Sequence, residues 1–326
     1  MTDAVRERYA RFARDEAPGR SAVYAAWAAG VAADPAMQEL LGRISAPHRQ
    51  PPLVFAVTRL LGARSGGYAG WRRWVLDRAE RVIAECERRT VQTNEPLRLA
   101  ALLPALSLID GPLALLELGA AAGLCLYPDR YSYRFVDERG AERSRLDPAA
   151  GPSRVELTSV VRGGLPALRM PEVVLRAGVD LAPVDVRDRD GRAWLEALTW
   201  PGEHDRAARI AGAVAIASDE PALLLAGDAE ERLEDLLGLV PPGAVPVVMT
   251  PGMLVYLPRA ARESLIARIR ASGARWVTID PIGLHAGWGG GDARGFAVGL
   301  DGRMRGAADP LGRWWEWRGG DREDAA

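Results

Sequence analysis

The spacing of hydrophobic residues divides the chain into two parts near residue 110. In the first part apolar residues recur every three or four positions, as Val5, Tyr9 and Phe12 do between arginines. This period predicts amphipathic helices. The first helix is expected to end at Pro18, and further helices are expected over residues 21–31, from Asp34 onwards, and over 53–61, 70–89 and 94–106. Residues 1–110 are therefore predicted to form an all-helical subdomain.

Beyond residue 110 short apolar runs alternate with helical stretches. The runs cover residues 113–118, 173–179, 222–226, 245–249 and 276–279, and the helices 190–198, 204–217, 229–237 and 259–271. Buried strands that alternate with helices predict an α/β domain over residues 111–326, with a parallel sheet covered on both faces. Residues 296–300 and 313–318 predict a closing antiparallel strand pair. The segment 131–171 is expected to be an insertion, with strand-like pieces at 133–136 and 155–160.

The amino-acid composition argues against several classes of function. All 42 basic residues are arginine and 43 residues are acidic, so the net charge of −1 gives no general attraction to nucleic acid, and no nucleic-acid partner is expected. The absence of lysine excludes Schiff-base and P-loop lysines. Two cysteines exclude a disulfide scaffold and predict a cytoplasmic protein, and three scattered histidines predict no metal site. The most apolar stretch, 102–126, contains Asp110, Pro112 and Glu117, so no membrane span is expected.

The first apolar run ends in an E-x-G-x-x-x-G motif formed by Glu117, Gly119 and Gly123. Gly119 permits a sharp turn at the carboxyl end of the strand, and Gly123, with small residues such as Ala121 before it, permits close approach of a ligand to the main chain. A tight turn without a ligand is the alternative. The spacing differs from the dinucleotide G-x-G-x-x-G and from a Walker loop, which argues against a nicotinamide-dependent oxidoreductase.

This motif resembles motif I of class I S-adenosylmethionine-dependent methyltransferases. Asp180 with Leu181 at the end of the second run, and Asp228 with Ala229 after the third, fit the order of that family's later motifs. The resemblance implies a Rossmann-like methyltransferase fold, a doubly wound, mainly parallel seven-stranded sheet, with S-adenosyl-L-methionine as cofactor. In that family the first acid binds the ribose hydroxyls and the second meets the adenine amino group. The implied cofactor-binding residues are Glu117, Gly119, Ala121, Gly123, Asp180, Leu181, Asp228, Ala229 and Thr250.

The identity of the ribose acid is open between two residues. An insertion of about fifty residues separates the glycine motif from Asp180, whereas about twenty residues are usual in an uninserted fold. Asp137 follows the strand-like piece 133–136 and is the rival. The continuous apolar run before Asp180 and Pro183 after it favour Asp180.

The chain also resembles, over nearly its full length, a bacterial family known as domain of unknown function 2332. The segments that carry this resemblance are 93–96, 178–185, 194–201 with His204 and Arg206, and 315–317. That family resembles methyltransferases in fold and has no assigned reaction, so the resemblance supports the architecture more than an activity.

Candidates for the acceptor side follow the later strands and the helical part. Tyr256 and His285 are the candidate catalytic residues; the alternatives are a buried tyrosine and a surface-loop histidine beside the glycine-rich turn 288–291. Candidate substrate contacts are Asn94, Glu95, His204, Arg206 and Met253. The alternatives for the first four are helix capping, a helix-dipole acid and solvated first-turn side chains.

The leading hypothesis is therefore an S-adenosylmethionine-dependent methyltransferase that acts on a small-molecule acceptor by in-line methyl transfer. The helical first third would serve as a lid and acceptor pocket. No obvious catalytic triad is needed, because the sulfonium is already an activated donor. A catalytically inactive binding or regulatory protein on the same fold is the alternative, and a homodimer is left open as the assembly.

Overall fold

The computed structural model describes residues 2–288 and 295–318. Its helices are α1 Thr2–Arg11, α2 Ala22–Ala32, α3 Pro35–Gly42, α4 Pro51–Leu60, α5 Tyr68–Leu76, α6 Ala79–Arg88, α7 Arg98–Leu106, α8 Arg189–Leu198, α9 His204–Asp219, α10 Ala229–Leu237 and α11 Arg259–Ala271. Its strands are β1 Leu113–Leu118, β2 Ser132–Val136, β3 Glu142–Leu146, β4 Glu156–Arg162, β5 Val173–Asp180, β6 Leu223–Ala226, β7 Val245–Pro251, β8 Arg275–Pro281, β9 Phe296–Leu300, β10 Arg303–Ala308 and β11 Trp314–Trp317. The chain divides into two compact units, Met1–Thr93 with Arg187–Ala211, and Asn94–Val186 with Gly212–Ala326.

The first unit is helical and is built around buried aromatic rings. The α2 helix begins at Ser21, whose hydroxyl accepts from the Tyr24 N–H, and α3 begins at Asp34, which caps it as the sequence indicates. The single helix expected over residues 70–89 is two helices, α5 and α6, because Arg78 leaves the helical region at φ −129°. The rings that form the core are Tyr9, Phe12, Tyr24, Trp27, Phe55, Trp71 and Trp200.

The second unit is an α/β structure with one mixed sheet. The strand order is β3-β2-β4-β11-β10-β9-β8-β7-β1-β5-β6, and the run from β8 to β6 is parallel. The sheet thus has eleven strands within the described residues, in place of the expected seven. Three of the four additional strands are β2, β3 and β4, which the inserted segment forms, and β4 pairs in parallel with β11 at Val160–Trp314. The insertion extends the sheet because β4 pairs with the edge of β11 that β10 leaves open.

The carboxyl-terminal part forms three antiparallel strands in place of the expected pair. The β10 strand lies between β9 and β11 and pairs with both. Its sequence, which contains Arg303, Arg305 and Gly306, has no apolar alternation, so no strand is predicted there. The same reason applies to β3, whose five residues include three charged side chains and are largely exposed.

The division into units differs from the expected boundary at residue 110. The α7 helix is buried over nearly its whole length and packs on β4, β8, β9 and β11, so it belongs to the sheet unit. Residues 187–211, which contain α8, belong to the helical unit instead. The other face of the sheet is covered by α10 and α11, whose Leu233, Leu236, Leu265 and Ile269 pack with Leu116. Within the described ranges, no helix combines the length and the apolar character needed to cross a membrane.

Candidate functional site

Three chain segments are hydrogen-bonded together at the carboxyl ends of β1, β5 and β6. The Gly119 and Ala120 N–H groups both donate to the Val179 carbonyl, at 2.8 and 3.0 Å. Farther along, the Gly227 N–H donates to the Asp180 carbonyl at 3.0 Å. The residues near 119, 180 and 228 therefore lie side by side at one edge of one sheet.

The turn after β1 has an unusual backbone. Gly119, Ala121 and Gly123 all have positive φ, at +74°, +53° and +69°. This region is costly for alanine, so Ala121 must be held in place. The Asp180 Oδ2 atom accepts from the Ala121 N–H at 2.9 Å, and the Ala121 carbonyl accepts from the Val184 N–H at 3.0 Å. These two contacts anchor the turn to the segment that follows β5.

Every N–H group from residue 119 to residue 123 donates within the protein. The Ala122 N–H donates to Asn94 Oδ1 at 2.9 Å, and the Gly123 N–H donates to the Ala120 carbonyl at 2.6 Å. An anion-binding loop needs free N–H groups that point at its ligand. This turn therefore lacks the donors of a phosphate cradle and offers carbonyl and carboxylate acceptors beside it.

Gly119 also leaves room for Met253, which lies two residues after the end of β7. A Cβ atom at this position would lie 2.8 Å from the Cβ atom of Met253, which is closer than such atoms approach. Met253 packs against the apolar cluster between the sheet and helices α10 and α11. It is thus a wall of the turn after β1, at the same sheet edge as the cofactor candidates.

Asn94 and Glu95 lie against the same turn. Asn94 is buried, and its Nδ2 atom has no hydrogen-bond partner in the described part of the chain. The Glu95 side chain accepts from the Leu97 N–H at 3.0 Å, and its carbonyl accepts from Cys125 Sγ at 3.5 Å. Both residues thus adjoin the turn expected to hold the cofactor, and their role as substrate contacts stays a prediction.

Glu117 is a buried carboxyl group within β1. It is 3% exposed and lies in register with Gly178 on one neighbouring strand and Met249 on the other. Burial raises the pKa of Glu117 well above its usual value, and Asp180 raises it further, while Arg98 opposes the shift. Its Oε2 atom has no partner among residues 2–288 and 295–318. Burial therefore favours the neutral form of this carboxyl group, and a cation beside it would favour ionisation.

The residues after β5 and β6 stay near the surface. The side chain of Leu181 is strongly exposed. Asp228 caps α10, because its Oδ1 atom accepts from the Glu230 N–H at 2.7 Å, and Ala229 is the first residue of that helix. An apolar side chain and a helix-capping carboxylate therefore follow the neighbouring strands β5 and β6, and Asp180, the last residue of β5, directly precedes Leu181.

The two candidate ribose acids have different surroundings. Asp180 touches the turn after β1, as described above, and also accepts from the Ala182 N–H at 2.9 Å. Asp137 closes the turn between β2 and β3, where its Oδ1 atom accepts from the Arg139 and Ala141 N–H groups. Because β2 stands seven places from β1 in the sheet order, this geometry favours Asp180.

The candidates after β7 differ in exposure. Thr250 is fully buried, and its hydroxyl lies 2.8 Å from Thr278 Oγ1 and 2.9 Å from Trp276 Nε1. Its side chain is therefore engaged inside the protein, its carbonyl accepts from Thr278 Oγ1 at 2.9 Å, and its role at a cofactor stays a prediction. Tyr256 is 79% exposed, which removes the alternative of a buried tyrosine.

His285 is held by a residue that the sequence analysis missed. Its Nε2 atom lies 2.9 Å from Oδ2 of Asp280, and its ring lies between Trp276 and Trp288. Asp280 ends an apolar run and precedes Pro281, which is the type of signal that identified Asp180. Most of the neighbouring glycine-rich turn, from residue 289, lies outside the described residues.

His204 and Arg206 lie in the helical unit. Arg206 donates to Glu203 at 3.0 Å, and Arg20 lies 2.8 Å from the same carboxylate and stacks on Trp200 at 3.6 Å. Burial raises the pKa of Glu203, but Arg206 and Arg20 outweigh it and hold the pKa below its usual value. His204 is an exposed residue at the start of α9. As substrate contacts, both stay predictions.

The chain has a family match over most of its length, and its described residues form no metal-ligand group. Among the described residues, no group of three or more His, Cys, Asp and Glu side chains is arranged to hold a metal ion. No curated protein matches the chain. The family model described as an uncharacterized protein conserved in bacteria (DUF2332) matches residues 6–317. The match covers almost the whole sequence, and the chain therefore belongs to the DUF2332 family.

Proposed function

We propose that this protein is an S-adenosyl-L-methionine-dependent methyltransferase that acts on a small-molecule acceptor by in-line methyl transfer. One observation carries the proposal. The turn after β1 uses all five of its N–H groups internally, while the carboxyl groups of Glu117, Asp180 and Asp228 lie on or beside the same sheet edge. Such an edge suits a ligand that carries positive charge and hydrogen-bond donors, in contrast to a pyrophosphate.

The residues fit an adenosyl sulfonium in three respects. Asp180 Oδ2 accepts from the Ala121 N–H and Oδ1 accepts from the Ala182 N–H, and a carboxylate is the type of acceptor that suits a ribose hydroxyl. Exposed Leu181 offers an apolar surface to the adenine ring, and Asp228 offers an acceptor to its amino group. The unpartnered Oε2 atom of Glu117 offers a counter-charge. When bound, S-adenosyl-L-methionine would supply a methyl group already activated for transfer.

The chain's own residues then have to orient the acceptor and receive its proton. Tyr256 presents an exposed hydroxyl after β7, which suits the binding of a polar acceptor group. His285 follows β8, and its imidazole, which is held by Asp280, is a group of the type that can accept a proton. Their distance from the reacting atoms decides how much each contributes.

Calorimetry with S-adenosylhomocysteine and S-adenosylmethionine tests the proposal directly. Binding in the micromolar range, about −8 kcal/mol, is expected for both ligands, together with a rise in melting temperature. Reduced nicotinamide cofactor serves as the control and should give no fluorescence enhancement. Absence of heat and of a thermal shift with both adenosyl ligands would overturn the proposal.

A non-catalytic binding protein on the same fold is the second candidate. It is favoured by the burial of the turn, because Ala120, Ala121 and Ala122 are 4%, 6% and 3% exposed and all their N–H groups are satisfied. Native mass spectrometry of freshly purified protein separates the two candidates. Co-purified adenosyl ligand favours the methyltransferase, and a different bound metabolite favours the binding protein.

A further inference from the structure

A buried chain of hydrogen bonds links β7, β8 and the segment after β8. The Trp276 indole donates to Thr250 Oγ1, Thr250 lies 2.8 Å from Thr278 Oγ1, and Thr278 lies 2.5 Å from Asp280 Oδ2. The same Asp280 oxygen contacts His285 Nε2 at 2.9 Å. All five side chains are less than one-tenth exposed. The arrangement is therefore a built polar network inside an otherwise apolar part of the sheet.

We propose that Asp280 and His285 form a proton-accepting dyad, with Asp280 as the positioning residue, and that the substrate carries a hydroxyl or amino group whose proton passes to His285. This inference rests on the proposed methyl transfer and adds the chemical class of the acceptor. It also assigns a role to Asp280, which is not among the residues proposed to bind the cofactor.

The first support is the electrostatic position of Asp280. Its side chain is 0% exposed, and Oδ1 has no hydrogen-bond partner among the described residues. A buried carboxylate with an unsatisfied oxygen is costly, so a positive charge beside it is strongly favoured. Protonation of His285 supplies that charge at 2.9 Å. The geometry therefore places a carboxyl group where it can stabilise an imidazolium.

The second support is the orientation of the imidazole. With Asp280 ionised, Nε2 carries the hydrogen and Nδ1 presents a lone pair, because the tautomer is set by the hydrogen bond at the other nitrogen. His285 Nδ1 makes no hydrogen bond within residues 2–288 and 295–318. The Trp288 indole donates to the Gly302 carbonyl at 3.0 Å and packs on the imidazole with ring centroids 4.1 Å apart, which fixes the ring plane.

The third support is the position of the dyad in the sheet. Asp280 lies at the carboxyl end of β8, and β8 stands two places from β1, which is about 10 Å at the usual strand spacing. The dyad is thus at the same edge as the turn after β1. The segment that follows β7, which contains Tyr256, starts from the strand between them.

The proton transfer balances within the proposed reaction. The substrate O–H or N–H bond breaks and an N–H bond forms at His285 Nδ1, giving an imidazolium beside the Asp280 carboxylate. The lone pair of the substrate oxygen or nitrogen forms the new bond to carbon, and the electron pair of the broken carbon–sulfur bond stays on sulfur. Solvent then takes the proton from His285.

Nitrogen-15 NMR of the full-length protein tests the dyad without an acceptor. The chain has three histidines, so His48 and His204 are internal controls and His285→Gln assigns the signal. At pH 7.5 to 8.5 we expect an unprotonated Nδ1 and a protonated Nε2 for His285. In Asp280→Asn the tautomer should become mixed, with Nε2–H no longer dominant, and Thr278→Val is the matched control that leaves the carboxylate in place.

The outcomes separate this inference from the proposed function. An unprotonated Nδ1 in the wild type that is lost in Asp280→Asn, with unchanged S-adenosylhomocysteine affinity, supports the dyad. A protonated Nδ1 in the wild type, or an unchanged tautomer in Asp280→Asn, overturns it and leaves a purely structural network. Failure of S-adenosylhomocysteine to bind the wild type overturns the proposed function while the tautomer result still stands.

Discussion

The polar clusters of the two units differ in whether their buried carboxyl group has a counter-charge beside it. In the helical unit, Glu203 is neutralised by Arg20 and Arg206, and Arg20 is covered by Trp200. In the sheet unit, Glu117 has a buried oxygen atom with no partner in the described part of the chain. The first cluster contains its own counter-charges, whereas the second leaves an acceptor for something else.

The contrast gives a physical criterion for sorting candidate residues. A buried polar atom without a partner costs free energy, so it survives where a ligand or a function compensates for it. By this criterion Glu117, Asn94 and Asp280 are stronger ligand or proton-transfer candidates than Glu203, whose carboxylate is paired with two arginines. Substitutions in each cluster test this difference.

The largest expected effect is on stability in the helical unit. Glu203→Gln should lower the free energy of unfolding at pH 7 by about 3 kcal/mol, because two arginines lose their carboxylate. The lowered pKa of Glu203 stabilises the fold above the usual glutamate pKa, and this contribution is lost as the pH falls through the lowered value. The variant should therefore lose less stability on acidification in denaturant titrations.

Glu80→Gln is the matched control for that substitution. Glu80 also pairs with an arginine, Arg43, but its side chain is 78% exposed, so a change below about 0.5 kcal/mol is expected. S-adenosylhomocysteine affinity should be unchanged in both variants. If Glu203→Gln weakened that affinity without unfolding the protein, the contrast between the two clusters would fail.

The next effect is on binding at the sheet edge. Asp180→Ala removes the carboxylate that holds Ala121 and that we assign to the ribose, so affinity for S-adenosylhomocysteine should fall about 30-fold, or about 2 kcal/mol. The protein should remain folded by circular dichroism. Asp137→Ala removes a similar turn-closing carboxylate and should leave the affinity unchanged. The reverse result would transfer the ribose role to Asp137.

A smaller effect concerns the ionisation of Glu117. Its pKa is raised in the folded protein, so the stability of the wild type should fall as the pH rises from the usual glutamate pKa toward the raised value. Each pKa unit by which folding raises the pKa of Glu117 corresponds to about 1.4 kcal/mol in the free energy of unfolding. Glu117→Gln should remove this slope in thermal unfolding between pH 5 and pH 8. Parallel curves for the variant and the wild type would show that the carboxyl group does not stay neutral.

The smallest effect on folding is expected at Tyr256. Because its side chain is 79% exposed, Tyr256→Phe should change the free energy of unfolding by less than about 0.5 kcal/mol and leave S-adenosylhomocysteine binding intact. Any change should appear in methyl transfer to an acceptor, as a higher KM. A large loss of stability would place the hydroxyl in a structural role instead.

Local periodicity predicts much of the secondary structure. The expected helices 229–237 and 259–271 coincide with α10 and α11, and the run 113–118 is β1. Their signals lie within each segment, as apolar spacing and turn residues. The strands β3 and β10 lack such signals, and the pairing of β4 with β11 depends on residues far apart in sequence.

The same distinction applies to the candidate site. The turn from Gly119 to Gly123 can be recognised as a sequence motif, because both glycines have positive φ, a conformation that other residues tolerate poorly. The contact between Asn94 and Ala122 joins two segments that no local pattern connects. Asp280 carries a local signal, an acid that ends an apolar run, and the same rule that identified Asp180 would have found it.

The pairing of β4 with β11 has a consequence for the synthesis of the protein. About 150 residues separate the two strands, so the ribosome releases β2, β3 and β4 long before their partner exists. Until then the growing polypeptide presents an open hydrogen-bonding edge, which invites aggregation. A nascent chain arrested before Trp314 should consequently depend on chaperones, and completion of the last strand is the event that closes this edge.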